Sequence, residues 1–354
     1  MRTYALILLI VSSFMSAPRA DAAPYPPSTL IDSVQFFWNT HLMLANDSDN
    51  HAVTWADDDK QYVVWGDGFG FEFTGTKTSL GVSTLSGNAN NPVAEDVYYG
   101  LPNAQRSGCP LDSLCNGLID GKSYGIISIG GTLYMWVNPR SVRSGGFKSQ
   151  RLYFSTDRAQ SWDRVNWDFP ESDKIVNLTF AQFGKDYAGA PNNYVYIYAV
   201  RVKDDSGPVI QKPGEIVLMR VAKTKLKNRN AYRFFAGMDG SMPIWRANIA
   251  EMAPVFEDSN GVGWTVSVSH NQGLNRYMLV TEHDVSGEGQ LGIHEAPKPW
   301  GPWRTALYTN QGGAADTAFF WNFSNKWTNG RDFNLFFTGS DAVDSFNSVE
   351  GHFD

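Results

Sequence analysis

The chain has 354 residues, a formal net charge of -7, 14% aromatic residues and 33 glycines. This length allows one large domain or two ordinary ones, and the acidic balance excludes the basic face that a nucleic-acid backbone requires. An aromatic-rich, weakly charged chain punctuated by glycine favours an all-β fold. It also suits carbohydrate ligands, whose C–H faces stack on aromatic rings.

The N-terminus has the order of a secretory signal. Arg2 precedes the apolar residues 5–11, and small residues follow at Ala17, Ala20, Ala22 and Ala23. This pattern predicts a signal peptide over residues 1–23, and its apolar run is too short to span a membrane. We therefore expect a secreted protein, extracellular or periplasmic, with one mature domain over residues 24–354 that stays monomeric and does not insert into a membrane.

The only two cysteines are Cys109 and Cys115. In a secreted chain they predict a small disulfide loop. A metal site is disfavoured because no histidine lies near them and two thiolates alone rarely bind a metal. The aspartate-rich loops lack the D-x-D-x-D-G spacing of a calcium loop. We expect no metal and no cofactor, and a structural calcium ion in the aspartate-rich loops is an alternative that stays open without support from the sequence.

Strand-turn-strand units recur along the chain. In the first, residues 53–56 and 61–65 flank an acidic turn, the standard signal of a hairpin. Four more units lie at residues 123–137, around residues 194–200, and at residues 264–280 and 317–338. Five such pairs with long connections predict radial repetition, as in a β-propeller. A β-sandwich is the alternative fold, but it does not explain why one unit recurs.

Two other segments carry structural predictions. Residues 31–44 are expected to form a short helix. Residues 155–162 resemble the Asp-box, the S-x-D-x-G-x-T-W turn of sialidase-type propellers, with Ala159 in place of Gly and Ser161 in place of Thr. In such a turn Asp157 accepts backbone N–H groups, so it is predicted to be structural and not catalytic.

Five longer runs carry a family resemblance: TWADDDKQYVVWGDGFGF, TSLGVSTLSG, EDVYYG, FGKDYAGAPNNYVYIYAV and HEAPKPWGPW. They resemble the secreted proteins of domain-of-unknown-function family 4185, over roughly residues 46–341. The resemblance implies a five-bladed β-propeller. Some relatives are endo-D-arabinanases, grouped as glycoside hydrolase family 183, and five-bladed glycosidases have a central funnel lined by carboxylates. No catalytic set transfers residue by residue, so the fold carries over better than the substrate.

Antiparallel pairing assigns the residues of the first hairpin to the two ends of a propeller. The start of its first strand and the end of its second strand lie at one end, and the turn lies at the other. If the funnel is where the innermost strands begin, Asp49 and His51 enter it and Asp67 leaves it. The acidic turn of Asp57, Asp58 and Asp59 then lies at the far end.

Four charged residues follow the second strands of other units, namely Arg140, Arg201, Glu282 and Asp341. Glycoside hydrolysis needs two carboxyl groups, one acting as acid and the other as base or nucleophile. We expect Asp49 and Asp67 to supply one partner, and Glu282 or Asp341 the other. Arg140 or Arg201 would hold an anionic substrate or lower the pKa of a nearby carboxyl.

Aromatic and acidic residues near Asp67 complete the predicted site. Trp65 and Phe69 flank Asp67 and are candidates for stacking on a sugar ring, and Glu95 and Asp96 are expected to line the cleft. We therefore expect a glycoside hydrolase that acts on a polysaccharide. Two alternatives stay open. A polysaccharide lyase would recruit its base and its cation from Tyr98, Tyr99, His51 and Arg140, and a non-catalytic carbohydrate-binding propeller would keep only the aromatic rim.

Overall fold

The computed structural model describes residues 22–72, 76–108, 114–139, 149–206, 209–263, 265–310, 312, 317–340 and 343–354. Four predictions fall outside these residues. They concern the first 21 residues of the predicted signal peptide, Cys109 with its disulfide, Arg140 and Asp341. The described backbone is all-β, with short 3₁₀ helices at Asn103–Gly108, Glu171–Asp173, Lys185–Tyr187, Lys223–Lys225, Arg229–Ala231 and Ile249–Glu251.

The strands follow one another along the chain with short turns between most neighbours. They are β1 (Val34–Leu44), β2 (Asp49–Trp55), β3 (Gln61–Gly68), β4 (Thr78–Asn88), β5 (Asn91–Tyr99), β6 (Lys122–Ile129), β7 (Thr132–Asn138), β8 (Arg151–Ser155), β9 (Asp163–Arg164), β10 (Ile175–Gln182), β11 (Tyr194–Arg201), β12 (Gly214–Ala222), β13 (Arg233–Asp239), β14 (Met242–Arg246), β15 (Pro254–Asp258), β16 (Val266–Asn271), β17 (Arg276–Thr281), β18 (Leu291–Ala296), β19 (Arg304–Thr309), β20 (Phe319–Phe323), β21 (Asp332–Ser340) and β22 (Val343–Phe353).

These strands pair as antiparallel meanders, in which each strand bonds to the next along the chain. The meanders are β2-β3-β4-β5, β6-β7-β8-β9, β10-β11-β12-β13-β14 with β15 on β12, β16-β17-β18-β19, and β20-β21-β22. The first strands of the meanders contact one another in a closed cycle, β2 to β6, β10, β16, β20 and back to β2. The predicted all-β propeller is confirmed, and the first strand of each meander lies innermost.

The last meander is completed by the N-terminal strand β1, which pairs antiparallel with β22. The helix predicted for residues 31–44 is therefore wrong. Side chains of β1 alternate in exposure along most of its length, which is the period of a strand and not of a helix. Phe36 packs edge-on against Phe333, and Trp38 packs against Phe337. This pairing satisfies the edge of β22 that would otherwise be open.

Side chains fill the middle of the propeller axis. The Thr54 hydroxyl donates to the Gln182 side chain at 2.9 Å, and the Gln182 amide donates to the Ile126 carbonyl at 2.8 Å. The cavity that remains there is only about 10 Å³. The two ends of the axis are therefore separate, and each must be considered as a site of its own.

The Asp-box prediction is consistent with the local contacts. Asp157 accepts a hydrogen bond from the Ser161 backbone N–H at 3.0 Å and from the Ser155 hydroxyl at 2.7 Å. Trp162 is buried. Ala159 has a φ of 68°, so it occupies the left-handed conformation that glycine adopts most readily. The turn is a structural feature of the second meander.

Candidate functional site

The innermost strands are irregular at the end where they begin. Pairing register shifts between Asp49 and Ala52 in β2, and comparable shifts occur near the starts of β6, β10 and β20. Asn50, Asn177 and Phe320 have left-handed φ values of 57°, 51° and 50°. Bulges re-aim side chains, and strained non-glycine residues concentrate at functional sites. These bulges and left-handed residues recur at one end of the axis, which marks that end as the candidate functional site.

An ion cluster lies at this end, centred on the Lys122 ammonium. Lys122 Nζ contacts Asp49 Oδ1 at 2.7 Å and Oδ2 at 2.9 Å, and Asp67 Oδ2 at 3.3 Å. The side chains of Lys122 and Asp49 are 8% and 15% exposed, whereas that of Asp67 is 36% exposed. The Asn50 amide also donates to Asp49 Oδ1 at 2.5 Å. Asp49 is thus held firmly in place, while Asp67 remains open to solvent.

The glycines on either side of Asp67 make this geometry possible. A Cβ on Gly66 would lie 2.4 Å from Asp49 Oδ1 and 2.7 Å from Lys122 Nζ, and a Cβ on Gly68 would lie 2.0 Å from the Ser48 hydroxyl. Asp67 itself has a φ of 39°. Gly66 and Gly68 therefore each allow other residues to approach the backbone closely, and Asp67 lies between these two contacts.

The prediction that Asp49 and Asp67 share one end of the hairpin matches the register, in which Asp49 pairs with Gly66. Lys122 was not among the predicted site residues. Its position in the sequence could have indicated it. Lys122 is the first residue of β6, just as Asp49 is the first residue of β2. Equivalent positions on neighbouring innermost strands lie side by side at the same end of the axis.

Asp344 is a second residue of this end that was not predicted. Its backbone carbonyl accepts a hydrogen bond from the Asp47 N–H at 2.6 Å. Asp344 is an exposed residue, but partial desolvation by the surrounding atoms raises the pKa of its carboxyl, and the negative charge of Asp49 raises it further, while the positive charge of Lys122 opposes both effects. The Asp344 carboxyl therefore belongs electrostatically to the Lys122 cluster and retains its proton to higher pH than an ordinary aspartate.

Asp96 holds the loop that follows Asp67. Its Oδ1 and Oδ2 accept hydrogen bonds from the backbone N–H groups of Phe71 and Glu72, each at 3.0 Å. The geometry gives Asp96 a structural role, because both its oxygens anchor backbone, and its predicted place in the lining of the cleft stays a prediction. Phe69 lies within the same loop and is only partly buried, so its ring stays a candidate for contact with a sugar.

Two other predicted binding residues are buried. Trp65 is 0% exposed, and its Nε1 donates to the Ser83 hydroxyl at 2.7 Å, so no face of its ring is open to a sugar. His51 is also 0% exposed, and its Nδ1 lies 2.8 Å from the Thr338 hydroxyl. Burial, helped by the charge of Lys122, lowers the pKa of His51 to about 3. Both residues pack beneath the site, where burial closes them off from a ligand.

Glu95 and Arg201, two charged residues that were predicted to bind the substrate, form ion pairs within their own meanders. Glu95 lies on the outer strand β5 and pairs with Lys60 at 3.1 Å. The Arg201 guanidinium pairs with Glu215 on β12 at 3.1 Å, which directs it along its own meander. The predicted substrate contacts of Glu95 and Arg201 are therefore not supported by the geometry.

Glu282 is enclosed by donors from its own meander. The Thr265 hydroxyl donates to its Oε2 at 2.8 Å, and the Gly287 N–H donates to its Oε1 at 3.1 Å. The residue is 1% exposed, and burial raises the pKa of its carboxyl to about 7. Glu282 lies after a second strand as predicted, but a carboxyl closed off in this way cannot reach a polysaccharide.

The acidic turn of the first hairpin lies at the opposite end of the axis, as predicted. Asp58 contacts Arg158 at 2.7 Å. Asp59 contacts Lys185 at 3.2 Å and Lys326 at 3.0 Å. These aspartates link the first meander to three others through ion pairs.

The sequence profile described as Domain of unknown function (DUF4185) matches residues 49–320. The chain belongs to this family. The matched region contains Asp49, Asp67 and Lys122, whereas Asp344 follows it. No curated protein matches the sequence.

Solved structures with the same architecture include several carbohydrate-active enzymes. A GH43_1 enzyme from Xanthomonas citri has a TM-score of 0.53 at 10% identity and covers 88% of this chain and 91% of its own. An endo-arabinase from Bacteroides thetaiotaomicron has a TM-score of 0.51 at 11% identity, with coverages of 90% and 95%. RS223-β-xylosidase has a TM-score of 0.52 at 9% identity, with coverages of 90% and 95%. At these identities the likeness shows the propeller fold.

The described residues also lack two general features. No group of three or more His, Cys, Asp or Glu side chains is arranged there to hold a metal ion. None of the helices in this part of the chain is both long and apolar enough to cross a bilayer.

Proposed function

We propose that this protein is a secreted glycoside hydrolase that cleaves a polysaccharide at the Lys122 cluster. The observation that carries the proposal is the pair of carboxylates, Asp49 and Asp67, held by one largely buried ammonium at the bulged end of the axis. Counting each meander as one blade, we also propose five blades, which agrees with the family resemblance. Fold neighbours whose names describe an endo-arabinase and a β-xylosidase support the reaction class.

The three aspartates of the cluster suit different roles. Asp67 is the more exposed member of the Lys122 pair, so we assign it as the base that activates water or as the nucleophile that attacks the anomeric carbon. Asp344 has a raised pKa, so we assign it as the acid that protonates the departing glycosidic oxygen. Asp344 thereby takes the role that was predicted for Glu282 or Asp341.

Asp49 and Lys122 have a positioning role in this scheme. The two-point contact between them fixes the ammonium, and the ammonium in turn fixes the orientation of Asp67. A positive charge beside the reacting carboxylate also balances negative charge in a poorly solvated site. Among polysaccharides we favour arabinan-like furanose polymers, because the resemblance to glycoside hydrolase family 183 points to them.

The test is the release of reducing ends from a panel of arabinans, xylans and uronate polymers. Asp67→Asn and Asp344→Asn should each lower turnover by about 100-fold or more, the usual contribution of a general acid or base. Asp163→Asn serves as the control, because Asp163 is an exposed carboxylate on the outer strand β9. Asp344→Asn should also remove the high-pH limb of the rate profile.

Three results would reject the proposal. Full activity in Asp67→Asn would remove the assigned base or nucleophile. Unsaturated uronate products would indicate a lyase. Tight binding of a polysaccharide with no cleavage by the wild-type protein would indicate a carbohydrate-binding propeller.

A further inference from the structure

A cavity of about 600 Å³ opens at the end of the axis opposite the Lys122 cluster. It lies where the innermost strands end, with Trp55 from β2, His270 from β16 and Phe323 from β20 in its wall. Its volume is in the range of ligand pockets, about 300–1,000 Å³. Because packed side chains close the axis between the two ends, a ligand here cannot reach Asp49 or Asp67 through the middle of the propeller.

The charge at this cavity favours an anion. The described residues that line it include Lys185 and Lys326 but no aspartate or glutamate. Asp59 at the rim contacts both ammonium groups, at 3.2 and 3.0 Å, so two positive charges share one negative charge. Hydrogen bonds from Lys326 and then Lys185 lower the pKa of Asp59 to about 2, so this carboxylate stays ionised. Burial lowers the pKa of His270, which stays neutral near pH 7.

Three other aspartates at this end of the axis, Asp57, Asp58 and Asp186, lie outside the lining of the cavity. Asp186 follows Lys185 directly, but its Oδ1 accepts the Ser128 hydroxyl at 2.7 Å and the Gly131 N–H at 3.1 Å. Asp57 and Asp58 share Arg158, at 3.0 and 2.7 Å. Within the lining and its rim, the two lysines and Asp59 leave one net positive charge.

The rest of the lining suits a molecule rich in hydroxyl groups. Gln272, Asn325 and Asn329 supply side-chain amides, and the Asn325 carbonyl oxygen is fixed by the Gly184 N–H at 2.7 Å. The Trp55 ring is only partly buried and is oriented by its Nε1, which donates to Asp59 at 3.0 Å. A flat aromatic face beside amide groups is the arrangement that binds a sugar ring by stacking and hydrogen bonds.

We propose that this cavity is a non-catalytic site for a sugar acid, with the carboxylate of the ligand between Lys185 and Lys326 and its ring against Trp55. The ligand class is a hexuronate or a similar hydroxylated monoanion. The inference is independent of the proposed hydrolase activity, because the two sites share no residue and lie at opposite ends of the axis.

Calorimetric titration of the Asp67→Asn protein with D-glucuronate tests the proposal without interference from turnover. Glucuronate should bind at least about tenfold more tightly than D-glucose, and the difference should shrink at high salt. Lys326→Gln and Lys185→Gln should each weaken glucuronate binding about tenfold or more, because each removes a charge-assisted hydrogen bond. Lys60→Gln should leave binding unchanged, since Lys60 pairs with Glu95 outside the cavity.

Lys326 also contacts the backbone carbonyl of Asp59, so its loss can disturb the fold locally. Lys185, whose side chain is 43% exposed, provides the variant that should fold normally. Equal binding of glucose and glucuronate would overturn the proposal, as would wild-type affinity in Lys185→Gln. Binding of acetate as tight as that of glucuronate would overturn the sugar-acid class. If no hydrolysis is detected in the polysaccharide panel, the result of these titrations does not change. The two proposals can therefore be rejected independently.

Discussion

Gly66→Ala is the sharpest test of the Lys122 cluster, because it adds one methyl group at the point where the charges meet. Gly66 does not have a left-handed φ, so alanine suits its backbone. The new Cβ would lie 2.4 Å from Asp49 Oδ1, whereas ordinary contacts begin near 3.4 Å. Asp49 and Lys122 must therefore move by about 1 Å, and a displacement of that size can lower a catalysed rate about 100-fold.

The same substitution should change stability little. The atoms it meets all belong to side chains, namely Asp49 Oδ1 and the Nζ and Cδ of Lys122, and the two side chains can move together and remain paired. Removing one partner from a buried ion pair typically costs about 3–5 kcal/mol, and a shifted pair costs much less. We expect Gly66→Ala to lower Tm by a few degrees, and Lys122→Met to lower it far more because Asp49 is then left without its cation.

The assay pairs reducing-end release on the best polysaccharide with thermal unfolding of the same samples. Gly66→Ala should lose about 100-fold in kcat/KM while unfolding within a few degrees of the wild type. Wild-type activity in this variant would refute the view that the position of the ion pair matters. An equally large loss of stability would show instead that the methyl group disrupts the fold.

The remaining predictions concern stability, pH and binding. Glu282 has a folded pKa of about 7 against an ordinary 4.5, so the folded state holds the extra proton between these values. Stability should fall by about 3 kcal/mol as pH rises through this window, and Tm measured from pH 4.5 to 8 should be flatter in Glu282→Gln. Asp157→Ala should cost about 1–3 kcal/mol by chemical denaturation, because it removes the hydrogen bonds that the turn makes to a charged carboxylate, with turnover retained. Phe69→Ala should raise KM with little change in Tm, whereas Trp65→Ala should cost about 3–5 kcal/mol of stability; the opposite pattern would restore Trp65 as the stacking residue.

Local sequence patterns determined the hairpins of this protein and the end of the axis to which their residues belong. The pairing of Asp49 with Gly66 follows from two short strands joined by a turn, because antiparallel neighbours fix each other's register. The Asp-box was equally local, since Asp157 bonds within its own turn. Such features depend on contacts a few residues apart, and a single stretch of sequence contains all the partners.

Tertiary structure alone decided which of these residues face a ligand. Trp65 and Phe69 are both aromatic neighbours of Asp67, but only the packing of Trp65 beneath the site removes its ring from solvent. The strand at β1 escaped prediction because its partner β22 lies at the far end of the chain.

The Lys122 cluster shows the same limit. Asp49 and Lys122 are 73 positions apart, and nothing in either segment specifies the other. They meet because the closure of the propeller places the first residues of β2 and β6 at one end of the axis. The sequence by itself therefore determined the fold class and the Asp49–Asp67 hairpin. The packing of remote meanders decided which charge lies between the two carboxylates, and burial decided which candidates are closed off from a substrate.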